Sequence, residues 1–345
     1  MFVSDPSLID HVTMLVPTRN RQGYLKNILE TYKDSGLKII VADTSPTPFP
    51  DAKNYANVHY QHFTECRFID ALRFLVESAK TKYIIMRAEN RHITLNGIMR
   101  CLELLEAHSE YALVHGAHVW VRQKRGRLES WPCYNADNLL GLMQDSPEER
   151  LRAVFDPMVS LYYAVERRQN ILDVLAQAEG IENLNAFEVL LTAIKAINGK
   201  CARVPILFCA VQERSSALKG VRRLYDGFDK VATAPEYAGE FACVVAGIAN
   251  HLRLRTGMDA QRAECITRES LGRFLKRLSE KPQETKAARL LRKVCKFARS
   301  GLRFAGVPDL RAAREMRTYL SALDDGVSEY ETLLATIRRG YLEGW

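Results

Sequence analysis

The sequence predicts a mixed α/β fold, with helices on both sides of a mostly parallel sheet and a helical extension at the C-terminal end. Apolar strand patterns alternate with helical patterns over residues 11–121, as they do in parallel α/β proteins. Beyond residue 214 only helical periodicity remains. The charge changes at the same point, because residues 1–215 hold 25 basic and 25 acidic side chains, whereas residues 216–345 hold 24 and 16. We therefore predict a sheet domain over 1–215 and a basic helical region over 216–345.

The composition excludes several classes of protein. The 345 residues are 47% hydrophobic and 26% charged, which is typical of soluble globular chains. The sequence contains no apolar run of about 18 residues, the length that a membrane span needs. Its first six residues lack the basic and apolar segments of a signal peptide. None of the eight cysteines shows Cys-x-x-Cys spacing, so we expect reduced thiols without zinc or disulfides. These features predict a cytoplasmic location.

The first strand–helix–strand unit places polar residues at two strand ends. Residues 11–16 form an apolar, β-branched run, a helical pattern follows over 24–32, and residues 37–41 form a second apolar run that leads to Asp43. Ligands bind outside the carboxyl ends of parallel strands, so both ends should face one site. The turn after the first run consists of Pro17, Thr18, Arg19, Asn20 and Arg21.

The rest of the sheet domain follows from the same two periodicities. Apolar runs of four to eight residues predict strands, and apolar residues three or four apart predict helices. Residues 122–150 fit neither pattern and predict an irregular loop. The remaining predicted strands are 58–63, 82–86, 111–121, 158–165 and 204–211, and the remaining predicted helices are 66–80, 94–108, 167–179 and 185–198.

Residues 12–21, followed by residues 39–45, resemble the opening of a GT-A-type nucleotide-sugar glycosyltransferase, close to the bacterial family-2-like enzymes. In that family the first strand ends in a turn with Pro, Thr or Ser, Asn and Arg. The second strand ends in an Asp that contacts the uracil or the ribose. The resemblance extends over 10–120, is thinner up to Arg214 and is absent beyond it. The alternative is an ordinary strand–helix–strand unit in another doubly wound fold.

The resemblance implies a function and its partners. The chain would move a sugar from a nucleotide-sugar donor to a glycan or lipid-linked acceptor, with inversion at the anomeric carbon, in surface polysaccharide or glycoconjugate synthesis. The alternative is a catalytically inactive glycosyltransferase-like module for binding or assembly. Nucleic acid is not an expected partner, because aromatic residues are not interleaved with the basic ones and no recognition motif is present.

Eight residues outside the metal motif are candidates for donor binding, and three of them are Pro17, Thr18 and Asn20 of the turn after the first strand. The resemblance implies that Asp43 touches the nucleoside, although Asp-Thr-Ser-Pro is also good turn chemistry. Arg19 and Arg21 flank an Asn at the same strand end and would contact the diphosphate, or remain solvated loop charges. The resemblance implies that Asp70 lies near the base or ribose, and the alternative is a plain surface acid. The resemblance also implies that Arg214 closes over the diphosphate, and the alternative is a surface salt bridge.

The metal motif of the family falls after the predicted strand 82–86, and there the sequence departs from the family. The family holds its leaving group with a divalent ion on an Asp-rich motif, and such ions prefer hard oxygen ligands. Here Glu89 stands in place of Asp, and Asn90 is a neutral oxygen ligand. Glu89 and Asn90 hold Mg²⁺ or Mn²⁺ in one interpretation. In another, Arg87 or Arg91 supplies the positive charge, since a guanidinium grips phosphate in a bidentate way. In a third interpretation, the site has decayed and the domain binds its ligand without catalysis.

Glu188 is the candidate general base. In the family, an acidic residue at the start of the helix after the acceptor loop deprotonates the incoming hydroxyl, which requires an approach to about 3 Å. The alternative is a capping box with Asn185, in which the glutamate bonds back to the N-cap amide. Glu182 is a second candidate nearby.

Residues 286–304 predict a basic amphipathic helix in the C-terminal region. Such a helix suits an anionic membrane surface, which would give the protein a peripheral contact with the inner membrane. The alternative is a helix whose apolar stripe packs on the sheet domain and whose charges are solvated.

Overall fold

A computed structural model of the chain contains one nine-stranded sheet within its described residues. Those residues are 6–88, 90–124, 127–133, 141–156, 158, 160–212, 225–280 and 310–342. The strands are β1 (Val12–Thr18), β2 (Lys38–Asp43), β3 (Val58–His62), β4 (Tyr83–Met86), β5 (Arg91–Ile93), β6 (Tyr111–Lys124), β7 (Arg127–Pro132), β8 (Val165–Arg167) and β9 (Lys200–Gln212).

The sheet is mixed and mostly parallel. Its strand order is β3-β2-β1-β4-β8-β6-β9-β5, and β7 pairs with β6. The strand β1 is parallel to β2 and β4, β2 is parallel to β3, and β6 is parallel to β9. The short β8 is antiparallel to both β4 and β6, so β6 points in the same direction as β4. The predicted fold class is therefore confirmed.

Helices follow most of the strands, and several begin at the caps that their sequences offer. Thr94 precedes the third helix, and its hydroxyl accepts a hydrogen bond from the Gly97 amide at 2.9 Å, which satisfies one of the free amides of the first turn. The helices are α1 (Gln22–Tyr32), α2 (Phe68–Ser78), α3 (Leu95–Ala107), α4 (Pro147–Val154), α5 (Arg168–Ala176), α6 (Leu184–Asn198), α7 (Phe228–Thr233), α8 (Ala238–Thr256), α9 (Ala260–Ser279), α10 (Leu310–Ser321) and α11 (Gly326–Leu342).

The helices bury both faces of the sheet, because successive side chains of a strand point to opposite faces. In β1, Met14 belongs to one buried cluster together with Leu25 of α1 and Leu102 of α3. The next residue, Leu15, belongs to another buried cluster together with Leu72 of α2. Burial on both faces explains why the strands are continuous apolar runs rather than alternating ones.

The C-terminal helices pack on the sheet domain. Val244 of α8 lies in the same buried cluster as Leu190 of α6. Met316 of α10 lies in a third cluster with residues of β6 and β9. The predicted helical character of this region is confirmed for the residues that the structure describes. The predicted domain boundary falls within 213–224, outside those residues, and stays a prediction.

The predicted membrane contact lies in a segment outside the described residues. Among the helices that are described, none is both long enough and apolar enough to cross a membrane. The predicted helix 286–304 falls outside the described residues, so its contact with an anionic bilayer stays a prediction.

The structure differs from the prediction in three strands. The predicted strand 158–165 shares only Val165 with β8, because residues 160–161 bond to α6 rather than to a neighbouring strand. The short β5 falls where the sequence predicts only the polar end of the strand 82–86, and it pairs with β9. The predicted loop 122–150 contains β7, which forms a hairpin with β6 and pairs Trp131 with Trp120. The described side chains of β7 are half-buried, so no apolar alternation reveals it in the sequence.

A buried arginine joins α4 to the C-terminal end of α6. Arg150 is 5% exposed, and its guanidinium donates to the carbonyls of Ala196 (2.7 Å) and Ile197 (3.0 Å). Carbonyls in the last turn of a helix have no partner within the helix. We expect Arg150→Met to lower the free energy of unfolding by about 2 kcal/mol, because buried carbonyls then lose charged donors. Urea denaturation measures this loss.

Arg152 offers a matched control on the same helix. Its ion pair with Glu269 is longer, at 3.7 Å, and partly exposed on both sides. We expect Arg152→Met to change the free energy of unfolding by less than about 1 kcal/mol. Equal losses for the two variants would contradict the role assigned to Arg150.

Candidate functional site

Six strands end at one edge of the sheet, which we call the carboxyl edge. Because β1, β2, β3, β4, β6 and β9 all point the same way, their last residues lie at that edge. The register places Thr18 directly opposite Asp43. The first residue of the antiparallel β8 pairs with Ile85 near the end of β4, so the residues before β8 reach the same edge. Crevices outside such strand ends are the usual ligand sites of open α/β sheets.

The turns after β1 and β2 are bonded to each other. The Thr18 carbonyl accepts from the Thr44 amide at 2.9 Å, and the Asn20 amide donates to the Ser45 hydroxyl at 2.8 Å. Asn20 has a φ of 57°, in the left-handed region that Asn tolerates better than most residues. The Thr18 hydroxyl is buried and has no hydrogen-bond partner among the described residues. This turn therefore presents an unused polar group at the carboxyl edge.

Asp43 is completely buried at the end of β2. Its Oδ1 accepts from the Ser45 amide at 2.8 Å, and its Oδ2 accepts from the Tyr60 hydroxyl at 2.7 Å. The Tyr60 hydroxyl in turn accepts from the Phe49 amide at 2.7 Å. Burial raises the pKa of Tyr60, so its hydroxyl stays protonated and continues to donate. Asp43 thus organises the loop, as turn chemistry suggests, and a contact with a nucleoside stays a prediction.

The remaining residues of the first turn differ in exposure. Pro17 is half-buried within β1, whereas Arg19 is exposed and makes no hydrogen bond or ion pair with any residue that the structure describes. Arg21 is half-buried at the N-cap of α1, where its carbonyl accepts from the Leu25 amide at 3.0 Å. The first turn of a helix carries partial positive charge. Arg19 and the start of α1 therefore give this part of the edge a positive character.

The two arginines after β4 lie in different environments. Arg87 is completely buried, with its guanidinium 5.0 Å from the Tyr32 ring and 3.7 Å from the Met14 sulfur, and its Nε donates to the Arg91 carbonyl. Arg91 is half-buried, and its guanidinium lies 3.5 Å from the centre of the Tyr163 ring. Arg87 therefore supports the loop from inside the protein, whereas Arg91 is partly exposed and packs against Tyr163.

The loop after β4 is also bonded to the end of β9. Asn90 is 6% exposed, its side-chain amide donates to the Gln212 carbonyl at 2.8 Å, and its own carbonyl accepts from the Gln212 amide at 2.8 Å. The ring of His92 lies 3.3 Å from the Gln212 side-chain oxygen. Burial, reinforced by the nearby charge of Arg87, lowers the pKa of His92 to about 3. His92 is therefore neutral at physiological pH.

The low pKa of His92 makes the fold sensitive to acid. An unfolded histidine takes up a proton near pH 6.5, whereas the folded one does so only near pH 3. The unfolded state therefore binds more protons between these values, and stability falls as the pH falls from 6.5. From this residue we expect a loss of about 2 kcal/mol between pH 6.5 and pH 5. Urea denaturation across this range should show a shallower slope for His92→Gln, and an unchanged slope would contradict the burial argument.

Asp70 and Arg67 form an ion pair at the start of α2. The Arg67 guanidinium donates to both carboxylate oxygens of Asp70, at 2.7 Å and 3.0 Å. This contact holds the pKa of Asp70 below its ordinary value. The pair is largely exposed, and a contact of Asp70 with a base or ribose stays a prediction. Glu89 and Arg214 lie outside the described residues, so their predicted roles also remain predictions.

Three comparisons with known proteins bear on this geometry. No protein-family model matches the chain, and no curated protein matches it. Among solved structures, residues 1–349 of S. aureus TarS, a GT-A-type glycosyltransferase, match with a TM-score of 0.50 and 12% identity, over 80% of this chain and 74% of that one. The same segment in complex with UDP-GlcNAc matches with a TM-score of 0.50 and 13% identity, over 96% and 89%. The chain has the GT-A fold.

The GT-A fold confirms the resemblance that the first two strands suggest, at the level of architecture. Glu188 lies on the second turn of α6. The capping-box interpretation of Glu188 is wrong, because the N-cap is Asn183, whose side chain accepts from the amides of Asn185 (2.9 Å) and Ala186 (3.0 Å). Glu188 is instead half-exposed, and its Oε1 accepts from the Ser160 hydroxyl. Its other oxygen has no partner among the described residues.

Several residues near the carboxyl edge could not be identified as site residues from the sequence. Ser160, Tyr162 and Tyr163 precede β8, and the two tyrosine rings lie 4.8 Å apart. Burial raises the pKa of Tyr162 well above its ordinary value. The only local signal for these residues is a Tyr-Tyr pair before a short strand. Tyr225, which is 45% exposed, begins the next described segment and bonds through its carbonyl to the Asn185 side chain at 3.1 Å.

The described residues alone do not form a metal site. No three or more His, Cys, Asp or Glu side chains in the described ranges cluster as ligands would. Asn90 is buried and already donates to Gln212. Since Glu89 lies outside these ranges, binding of Mg²⁺ or Mn²⁺ at Glu89 and Asn90 stays a prediction, and we derive no step through a metal ion.

A cleft of about 880 Å³ lies at the opposite edge of the GT-A sheet, where β1, β2 and β3 begin. Charged side chains line it, but they pair with one another: Lys82 lies 2.6 Å from Glu106, and Lys38 lies 3.6 Å from Asp10. The cleft is far along the strands from Thr18 and the other predicted site residues. We therefore regard the carboxyl edge as the candidate site and use the cleft as a reference for the experiments below.

Proposed function

We propose that this chain is a glycosyltransferase that moves a sugar from a nucleotide-sugar donor to a hydroxyl of a glycan or lipid-linked acceptor, in surface polysaccharide or glycoconjugate synthesis. One observation supports the proposal: Thr18 and Asp43 stand opposite each other at the ends of β1 and β2, and Glu188 bonds to Ser160, which precedes β8 near the end of β4. Because a matching TarS structure contains UDP-GlcNAc, a UDP-sugar is the first donor to test. The predicted location stays the cytoplasm.

The turn after β1 supplies the proposed donor contacts. The buried Thr18 hydroxyl lacks a partner in the described structure and would bond to a polar group of the nucleoside. The exposed guanidinium of Arg19, beside the start of α1, would offset the charge of the diphosphate. The guanidinium of Arg91, which lies against the Tyr163 ring, would meet the departing phosphate. These contacts stabilise the leaving group as its charge develops.

Glu188 supplies the proposed base. Its carboxylate removes the proton from the acceptor hydroxyl, and the oxygen uses the freed electron pair to form a bond to the anomeric carbon. The bond between that carbon and the diphosphate oxygen breaks at the same time, and the nucleoside diphosphate leaves with its electron pair. Attack from the face opposite the leaving group inverts the anomeric carbon. The Ser160 hydroxyl orients the carboxylate by donating a hydrogen bond to its Oε1.

Titration calorimetry of the full chain against nucleoside diphosphates and nucleotide sugars tests this proposal. We expect one nucleotide class to bind and its sugar donor to be consumed on incubation. Binding without consumption would support the alternative of a glycosyltransferase-like binding module, and absence of binding would contradict both. Repeating the titration in EDTA tests the predicted metal, because binding through Glu89 and Asn90 would weaken when Mg²⁺ or Mn²⁺ is removed.

A further inference from the structure

Two polar residues of α6 hold the same short segment of the chain. Glu188 and Lys195 are seven residues apart, so they lie on one face of the helix, separated by about two turns. Glu188 accepts a hydrogen bond from the Ser160 hydroxyl, and Lys195 donates from Nζ to the Leu161 carbonyl at 2.9 Å. We call residues 160–161 the tethered segment, because both of its residues are bonded to α6.

Lys195 forms an ion pair inside the protein. Its Nζ lies 2.8 Å from Oε1 of Glu166, and both side chains are completely buried. Glu166 occupies β8 between β4 and β6, opposite the apolar residues Ile84 and Leu113. Burial lowers the pKa of Lys195 and raises the pKa of Glu166, and each charge opposes the shift of the other.

Stability alone does not account for such a pair. Apolar residues of similar size often replace a buried ion pair at no cost, or with a gain in stability. An apolar side chain at position 195 cannot donate to the Leu161 carbonyl, however. Of its two bonds to α6, the tethered segment would then keep the one to Glu188, which is the proposed catalytic contact.

We infer that Lys195 and Glu166 are positioning residues: they fix the tethered segment, and Ser160 in that segment fixes the carboxylate of Glu188. This inference rests on the proposed role of Glu188 as the base. Glu166 orients the ammonium group of Lys195 from the sheet, Lys195 sets the position of the segment, and the Ser160 hydroxyl occupies one carboxylate oxygen. The second oxygen of Glu188 is left for the acceptor.

The double variant Glu166→Met with Lys195→Met, which we call the pair variant, tests the inference. We expect its melting temperature to stay within a few degrees of the wild type, while kcat for sugar transfer falls about tenfold or more and the donor KM stays within about twofold. Thr192→Val is the matched control, because it removes another completely buried polar group from α6. It should leave kcat unchanged. A folded pair variant with the kcat of the wild type would overturn the inference.

Ser160 provides a test that does not depend on the folding of the pair variant. We expect Ser160→Ala to lower kcat by a similar factor, and Ser160→Thr, which keeps the hydroxyl, to retain most of it. In the pair variant, Ser160→Ala should cost little more, since residues that act as a unit are not additive. Wild-type kcat in Ser160→Ala would contradict the inference.

Hydrogen exchange separates this inference from the proposed function, because it needs no substrate. In peptides that cover 160–164, we expect about tenfold faster exchange in the pair variant than in the wild type or in Thr192→Val, since the segment has lost its tether. Unchanged exchange would overturn the positioning role. A wild-type chain that consumes no donor would contradict the proposed function instead, and the exchange result would still decide whether Lys195 holds the segment.

Discussion

Replacement of Glu188 by Gln is expected to lower the turnover of sugar transfer by about 10²-fold or more, the usual scale of general base catalysis. Gln is almost the same size as Glu, and its side-chain oxygen can still accept from the Ser160 hydroxyl. It cannot remove a proton from the acceptor, however. Since Glu188 takes no part in the cap of α6, the melting temperature should not change. Steady-state assays of nucleoside diphosphate release measure the loss.

Glu182→Gln is the informative comparison for this prediction. Glu182 is exposed just before α6, and its described bond is made by its backbone amide, which donates to Glu240 at 2.8 Å. If turnover falls in Glu182→Gln and not in Glu188→Gln, the base has been assigned to the wrong carboxylate. If neither variant loses turnover, the proposed mechanism has no base among these residues.

Replacement of Lys195 alone by Met is expected to lower the free energy of unfolding by about 3–5 kcal/mol, because it leaves the carboxylate of Glu166 buried without a counter-ion. The pair variant should regain most of this loss, since it removes both charges. Urea denaturation of the wild type, the single variant and the pair variant gives the three values. The comparison separates the cost of an unpaired charge from the net worth of the pair.

A surface pair provides the control for this prediction. Lys82 and Glu106 are 2.6 Å apart, and their side chains are 53% and 30% exposed. We expect Lys82→Met to lower the free energy of unfolding by less than about 1 kcal/mol, because water screens the remaining charge. A loss of similar size for Lys195→Met would mean that Glu166 becomes protonated or hydrated at little cost, and the argument from burial would then be wrong.

The sequence predicts the parts of the carboxyl edge that depend on local signals. The apolar run before Pro17 and the run before Asp43 identify two parallel strands, and the ends of such strands must share an edge. The register confirms this, with Thr18 opposite Asp43. Fold class and the shared edge of these strand ends could therefore be predicted together, because both follow from strands that end in polar turns, while donor binding at that edge stays a prediction.

The roles of the two arginines after β4 could not be separated in this way. In β4, Tyr83 and Ile85 face the cluster that contains Met14 and Tyr32. Arg87 continues the same alternation, so its side chain points towards that cluster and not towards the edge. A motif comparison treats all charged residues after a strand as candidates. The two-residue period of the strand decides which one is buried.

The surroundings of Glu188 depend on contacts that are distant in the sequence. Two Asn residues, at 183 and 185, are both good N-caps, and the spacing to Glu188 favours the second. Glu240 of α8 accepts from the amides of residues 182 and 183, which fits the start of the helix at the first Asn. Lys195 of α6 likewise forms an ion pair with Glu166 of β8. No local pattern contains either partner, so the sequence alone could not give these contacts.

Hydrogen exchange of the wild-type chain with and without saturating UDP-GlcNAc tests the central claim, that the carboxyl edge of this GT-A fold binds the donor. We expect slower exchange in peptides that cover 17–24 and 43–47, and no change in peptides that cover 10–13 or 56–59, most of whose residues line the cleft at the opposite edge. Slower exchange confined to that cleft, with none in the turns after β1 and β2, would contradict the account.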